Sequence, residues 1–162
     1  MMLGIDDPNG CNEKVKPWHT FLRVHSRVLS ALAADMETEQ DIPLTWYYVL
    51  FHLGNDCGDK LRLQELAEAI DLSQSGLTRL LDRMAEAGFV ERRPCAKDRR
   101  GAYAIITPVG KGKLEVATRT YLRGIVEHFM RHLAEEDVEA LLTAFNKILV
   151  AEADVKKGDN LC

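Results

Sequence analysis

The chain has 162 residues, 46% of them apolar, and a formal net charge of −4, so it can bury one real core and is too acidic overall for a general polyanion binder. Its N-terminus, MMLGIDDPNG, carries acids where a signal peptide needs a basic region, and its longest apolar run, IPLTWYYVLFHL, is too short to span a bilayer; a cytoplasmic protein is expected. Cys11, Cys57, Cys95 and Cys162 form no CxxC pair, which fits reduced thiols better than a disulfide framework or a zinc knuckle.

In chain order, residues 1–16 form a polar leader. Trp18, Phe21, Leu22, Val28, Leu29 and Leu32 then recur at helical spacing, predicting a helix that opens at Pro17 and runs to about Met36. The acidic segment ETEQDIP ends it. Thr45 is placed to cap a second helix, WYYVLFHL, which is apolar nearly all round and closes at Gly54. GNDCGDK is expected to be a loop. Two short helices follow, around Gln64 to Ile70 and Gln74 to Ala87, with a tight turn from Asp71 to Ser73. In the second of them Leu77, Leu80, Leu81 and Met84 share one face, while Ser75, Thr78, Arg79, Asp82 and Glu86 point away.

Gly88 ends that helix, and FVERR and AYAIIT are rich in aromatic and β-branched residues, predicting two strands joined by the charged loop PCAKDRRG. Thr107 and Pro108 open a long helix with Leu114, Ala117, Tyr121, Ile125, His128 and His132 on one stripe for about six turns. AEEDVEALLTAFNKILVAEA is a last amphipathic helix with acids in its first turn, and residues 151–162 are a polar tail.

Two short helices, a tight turn and a hairpin make a winged helix-turn-helix, so the fold expected is mainly α with a small β-hairpin. In such a unit the second helix lays its N-terminal residues on base edges in the major groove. Here that turn is Ser73, Gln74, Ser75 and Gly76, small and rich in hydrogen-bonding groups, whereas Asp82 and Glu86 lie farther along. Between Glu91 and Gly101 stand Arg92, Arg93, Lys97, Arg99 and Arg100 against Glu91 and Asp98. A basic wing beside a groove-bound helix meets phosphates or a narrow minor groove, for which arginine is suited. The competing reading is a solvated charged loop.

On these residues the chain resembles the MarR family of bacterial transcription regulators. LAEAIDLSQSGLTRLLDRMAEAGFVERR is similar to the family's helix-turn-helix, and DRRGAYAIIT, from Asp98 to Thr107, to its wing signature, with Ile106 where the family usually has Leu. The resemblance covers about residues 17–150. It implies one domain, with a winged helix-turn-helix core at 43–107 and dimerisation helices at 17–36 and 108–150 that interlock in an obligate homodimer. It further implies that Arg100 enters the minor groove, Asp98 shapes the tip and Arg99 meets phosphate, with Lys97 in the same basic tip. Ser73, Gln74, Ser75, Thr78 and Arg79 are carried over as groove-facing residues. For these the alternatives are a simple cap at Ser73 and ion pairs of Arg79 with Asp82, or of Arg83 with Glu86 or Glu91. The partner is double-stranded promoter DNA, read as a pseudo-palindrome.

Regulators of this type usually release DNA when a small aromatic or phenolic ligand binds between the dimerisation helices and the winged domain, so a repressor is expected. Trp18, His19, His25, Trp46, Tyr47 and His52 lie on the helices that line this cleft in the family, and an aromatic wall with histidines suits an aromatic acid. Plain core packing is the alternative for Trp46 and Tyr47. His128 and His132, four apart, have the spacing of a shared zinc, against polar dimer packing. Cys95, near Arg93, is a candidate for redox control, although the peroxide-sensing relatives carry their cysteine on the first helix, where this chain has none. No cofactor is implied. Catalysis is disfavoured: there is no Gly-rich phosphate loop and no GxSxG, and HFMRH lacks the glutamate of HExxH. A winged helix used only for protein interaction would tolerate an acidic wing, which this chain does not have.

Overall fold

A computed structural model describes residues 13–55, 59–95 and 98–158, with the side chains of 95, 98–101 and 152–158 outside that description. The chain divides into two compact units, Met1–Ile125 and Val126–Cys162.

The first unit opens with α1 (Lys16–Gln40), which has Pro17 in its first turn and stops at Asp41, a left-handed residue at φ 53° whose N–H bonds to the Glu37 carbonyl. The helix therefore continues a turn past Met36, through the acidic residues expected to break it, because Glu and Gln are good helix formers. From Lys16 to Arg27 every residue is exposed, whereas Leu32 and Met36 are buried. Helix α2 (Leu44–Asn55) begins two residues earlier than expected. Thr45 is inside it, and the Pro43 carbonyl accepts from the amides of Trp46 and Tyr47 at 2.9 and 3.4 Å. Gly54 is not a stop either. It is helical, and a Cβ there would lie 2.5 Å from Leu114 Cδ2, so the residue is small for packing.

The segment after α2 contains an element absent from the sequence reading: β1 (Lys60–Arg62) pairs antiparallel with β3 (Asp98–Ile106), and β2 (Val90–Cys95) lies on the other side, giving the order β1-β3-β2. Three residues carry no readable alternation, and only the ladder to β3 makes them a strand. Between β1 and β2 lie α3 (Leu63–Ala69), where the Glu65 carboxylate accepts from the Arg62 amide at 3.1 Å, and α4 (Gln74–Glu86). Asp71 supplies the left-handed turn between the helices at φ 53°, and Gly88 the one after α4 at φ 76°.

Leu77, Leu80, Leu81 and Met84, the four residues placed on one face of α4, are all buried, packed with Val49, Leu50, Leu53, Leu66, Val90, Ala104 and Ile106. Burial of this face holds the two helices of the helix-turn-helix against the sheet. A second cluster joins Leu32, Met36, Ile42, Leu44, Tyr47 and Ala117. Trp46, Phe89 and Leu114 pack against both clusters.

Helix α5 (Pro108–His128) is tied to the wing by one side chain. Thr107 Oγ1 donates to the Gly88 carbonyl at 2.7 Å and accepts from the Gly110 amide at 3.0 Å. The helix is also tied to the end of α1. Gln40 Nε2 donates to Thr120 Oγ1 at 2.8 Å, Lys113 Nζ to the Gln40 carbonyl at 3.0 Å, and Arg123 pairs with Glu39. The hydrogen bond from Arg123 holds the Glu39 carboxyl below its ordinary range.

In the second unit, residues to His128 complete α5, Met130–His132 make a 3-10 turn, and α6 (Glu135–Gly158) follows. The stripe expected to continue to His132 thus ends at His128. Asp137 caps α6 by accepting from the Ala134 amide at 3.0 Å. Helix α6 runs through Gly158, well into the stretch read as a polar tail, and Leu142, Ile148, Leu149 and Val150 on it are exposed. Among the described residues no helix is long and apolar enough to cross a membrane.

Candidate nucleic-acid interface

The first turn of α4 is built by local side-chain bonding. Ser73 is its N-cap, with Oγ accepting from the Gly76 amide at 3.1 Å and lying 3.2 Å from Ser75 Oγ. The cap is satisfied by side chain rather than water, so the turn is set before any ligand arrives. Thr78 Oγ1 is turned back onto the Gln74 carbonyl at 2.9 Å. Gln74 is exposed, and among the described residues its amide has no intramolecular partner. Of the five groove-facing residues expected from the sequence, Ser73 and Thr78 are thus engaged locally and Ser75 touches Ser73. Gln74 and Arg79 project without a partner among the described residues.

Of the acids considered as partners for Arg79 and Arg83, two are engaged by other arginines. Asp82 is held by Arg92 across to β2, Nη1 to Oδ1 at 2.6 Å, and Glu91 by its neighbour but one, Arg93, at 2.9 Å. Asp82 and Glu91 are thus held by arginines of the wing, and among the described residues Arg79 and Arg83 keep exposed guanidinium groups without an ion-pair partner. The same two contacts correct the charge tally of the wing. Arg92 and Arg93 at its base are compensated, which leaves Lys97, Arg99 and Arg100 as the basic residues of the tip.

The tip is shorter than the loop PCAKDRRG. The β2–β3 ladder holds Val90↔Ile106 through Pro94↔Ala102, then jumps to Cys95↔Asp98, so 99–101 stand out of register on β3. Pro94 removes an amide donor, tolerable because β2 is an edge strand. Lys97 lies outside the described residues, as do the side chains of Cys95, Asp98, Arg99 and Arg100.

A family model of the MarR family matches residues 40–101. The crystal structure of AbsC, a MarR family transcriptional regulator from Streptomyces coelicolor, is 30% identical, covers 88% of this chain and 93% of its own, and superposes with a TM-score of 0.75. The chain belongs to the MarR family. It is a transcriptional regulator of that family, whose members are not enzymes. The multiple antibiotic resistance protein MarR of Salmonella typhimurium is 28% identical over 109 residues, 67% of this chain and 74% of that protein. Sco3205, a MarR family regulator from Streptomyces coelicolor solved in complex with DNA, has the same fold at 23% identity, with a TM-score of 0.76 over 85% of each chain.

As for the residues expected to hold an effector, Trp18, His19 and His25 lie on the exposed half of α1. There Trp18, Phe21 and His25 run ring to ring at 5.8 Å spacings. Tyr47 is 2% exposed and packs on Tyr121 at 4.6 Å, so it is a core residue, and burial raises the pKa of its hydroxyl. His52 is half-buried against the Phe51 ring. Trp46 stands edge-on to Phe89 at 5.9 Å, and its Nε1–H is buried without an acceptor among the described residues. A buried donor left unmet is costly and rare, and sequence gives no sign of it. His128 and His132 are not on one continuous helix, which removes the four-residue helical spacing on which a shared zinc was expected.

Proposed function

We infer that this regulator is a homodimeric repressor that holds a pseudo-palindromic operator and lets go when a small aromatic acid binds. The observation that carries the DNA reading is the polarity of α4, with Gln74 and Arg79 uncompensated among the described residues at its groove end and Asp82 held back by the wing. In this reading Gln74 and Ser75 contact base edges, while Ser73, Thr78 and Arg79 hold the helix on the duplex. Lys97 and Arg99 meet phosphate, Asp98 shapes the tip and Arg100 enters the minor groove. Acting on DNA, the protein is cytoplasmic.

The dimer is supported by apolar side chains left in solvent: Trp18 is 58% exposed on α1, and Leu149 67% on α6. So many large exposed apolar groups on two helices suit a second copy of the chain. The segments 17–36 and 108–150 would supply that interface. The effector reading rests on Trp46, whose orphan Nε1–H stands where the two core clusters meet and would be satisfied by a ligand carboxylate or phenol oxygen. Trp18, His19, His25 and His52 would line the approach and Tyr47 would back it.

The test is fluorescence anisotropy with duplexes tiling the DNA beside the protein's own gene, in the presence and absence of phenolic and aromatic acids. Salt-sensitive nanomolar binding to one palindromic duplex, released by one acid, is expected. Arg100→Ala should weaken that binding strongly, and Gln74→Ala should lose more affinity for the operator than for random DNA. Unchanged affinity in Arg100→Ala would sink the wing assignment, and equal losses on both DNAs in Gln74→Ala the base contact.

A further inference from the structure

Two elements make the DNA-binding face, α4 and the β2–β3 wing, and a single polar side-chain contact crosses between them among the described residues: Arg92 Nη1 to Asp82 Oδ1 at 2.6 Å. We propose that Asp82 and Arg92 are positioning residues which fix the wing tip relative to the recognition helix, and which at the same time keep the Asp82 carboxylate away from Arg79. This rests on the DNA-binding reading above and adds a role for two residues that contact no base in it.

The placement gives the contact its leverage. Val90 anchors the base of β2 in the core, and Arg92 is two residues farther out, while Cys95 at the start of the tip is five. At about 3.3 Å per residue, these lie roughly 7 and 16 Å from the anchor, so 1 Å of slack at Arg92 becomes about 2.5 Å at the tip. An arginine aimed at a minor groove cannot hold its register through such a swing. The pair is also half in solvent, with side-chain exposures of 36% for Arg92 and 54% for Asp82. Exposed pairs add little to stability, so its removal should leave the fold intact and be felt as geometry. A further consequence follows from spacing: Asp82 is three residues after Arg79 on α4, within reach for an ion pair of its own. Engaged by Arg92, it leaves the Arg79 guanidinium to the DNA.

The test uses the full-length protein and two duplexes, one selected by the wild-type chain from a random-sequence pool and a scrambled one of equal composition. Asp82→Asn and Arg92→Gln are measured singly, with the exchange Asp82→Arg/Arg92→Asp, and with Arg100→Ala as reference. Simple charge effects act oppositely in the two single variants, since one removes a negative and the other a positive charge, and they act on both duplexes alike. Positioning predicts instead that the preference for the selected duplex falls in both, by about fivefold. It also predicts recovery to within about twofold in the exchanged pair, with thermal unfolding unchanged throughout. Preference that stays constant, or moves in opposite directions, while Arg100→Ala still loses the selected duplex overturns the positioning role and keeps the DNA reading. If Arg100→Ala loses nothing, both fall together.

Discussion

Helix α5 carries two glycines near its start, Gly110 and Gly112, whose substitution by alanine should have opposite signs. Gly110 sits where the helix meets the wing: a Cβ on it would be 2.2 Å from the Phe89 carbonyl oxygen and 2.9 Å from Ile106 Cγ1. Ordinary contact begins at 3.4 Å, so the backbone of the turn before β2 must retreat by about an ångström, and backbone is not a yielding neighbour. Overpacking of this kind costs about 1–3 kcal/mol, from which the helix preference of alanine over glycine returns about 1 kcal/mol. At Gly112 a Cβ meets nothing within 4 Å, so the second effect acts alone. Gly110→Ala should therefore be destabilised by up to about 2 kcal/mol, and Gly112→Ala stabilised by about 0.5–1 kcal/mol. For a chain of this size each kcal/mol moves the melting temperature by roughly 2–4 °C. The assay is thermal and urea denaturation at one fixed protein concentration, because association contributes to apparent stability. A Gly110→Ala protein as stable as Gly112→Ala would refute the close approach of α5 to the base of the wing.

The Thr107 clasp predicts that Thr107→Val loses about 1–2 kcal/mol, since it removes a helix cap and leaves the Gly88 carbonyl without its donor, whereas Thr107→Ser keeps most of the stability; urea midpoints decide. Glu39 is held ionised by Arg123, so its contribution is present above the ordinary carboxylate pKa of about 4.3 and is lost as pH falls through the lowered folded value. Glu39→Gln should melt slightly below wild type at neutral pH, the gap closing as the pH falls and the carboxylate takes up its proton, and a gap that does not shrink in acid would contradict the pair. Burial raises the hydroxyl pKa of both Tyr47 and Tyr48, the latter far more, so their stabilising effect holds below about pH 10 and is lost above it. In an ultraviolet titration of the folded protein, fewer than the four tyrosines of the chain should ionise before the alkaline unfolding step, and a titration of all four in the native state would exclude that burial.

Much of the interface was legible in the sequence because its signals are local. The face Leu77, Leu80, Leu81 and Met84 follows from helical period alone, the Ser73 cap from residue type, and the wing from β-branched residues flanking a basic turn. Those same stretches carried the family resemblance. The end of α1 was misplaced because Glu37 to Gln40 favour the helix, and the stop depends on Asp41 reaching a left-handed conformation ahead of Ile42 and Pro43.

What only the folded chain decided are relations between residues far apart. Lys60 to Arg62 became a strand through β3, more than forty positions away, and Gly54 and Gly110 are small because of Leu114 and Phe89, not because a helix ends there. Asp82 had a plausible arginine on its own helix, Arg79, and found another on the wing. The unmet Trp46 Nε1–H belongs to the same class. Propensity and periodicity are properties of neighbours along the chain, and they set which face of α4 is buried and where the positive charge gathers. Which acid compensates which arginine, and how closely two backbones approach, depend on close packing in three dimensions.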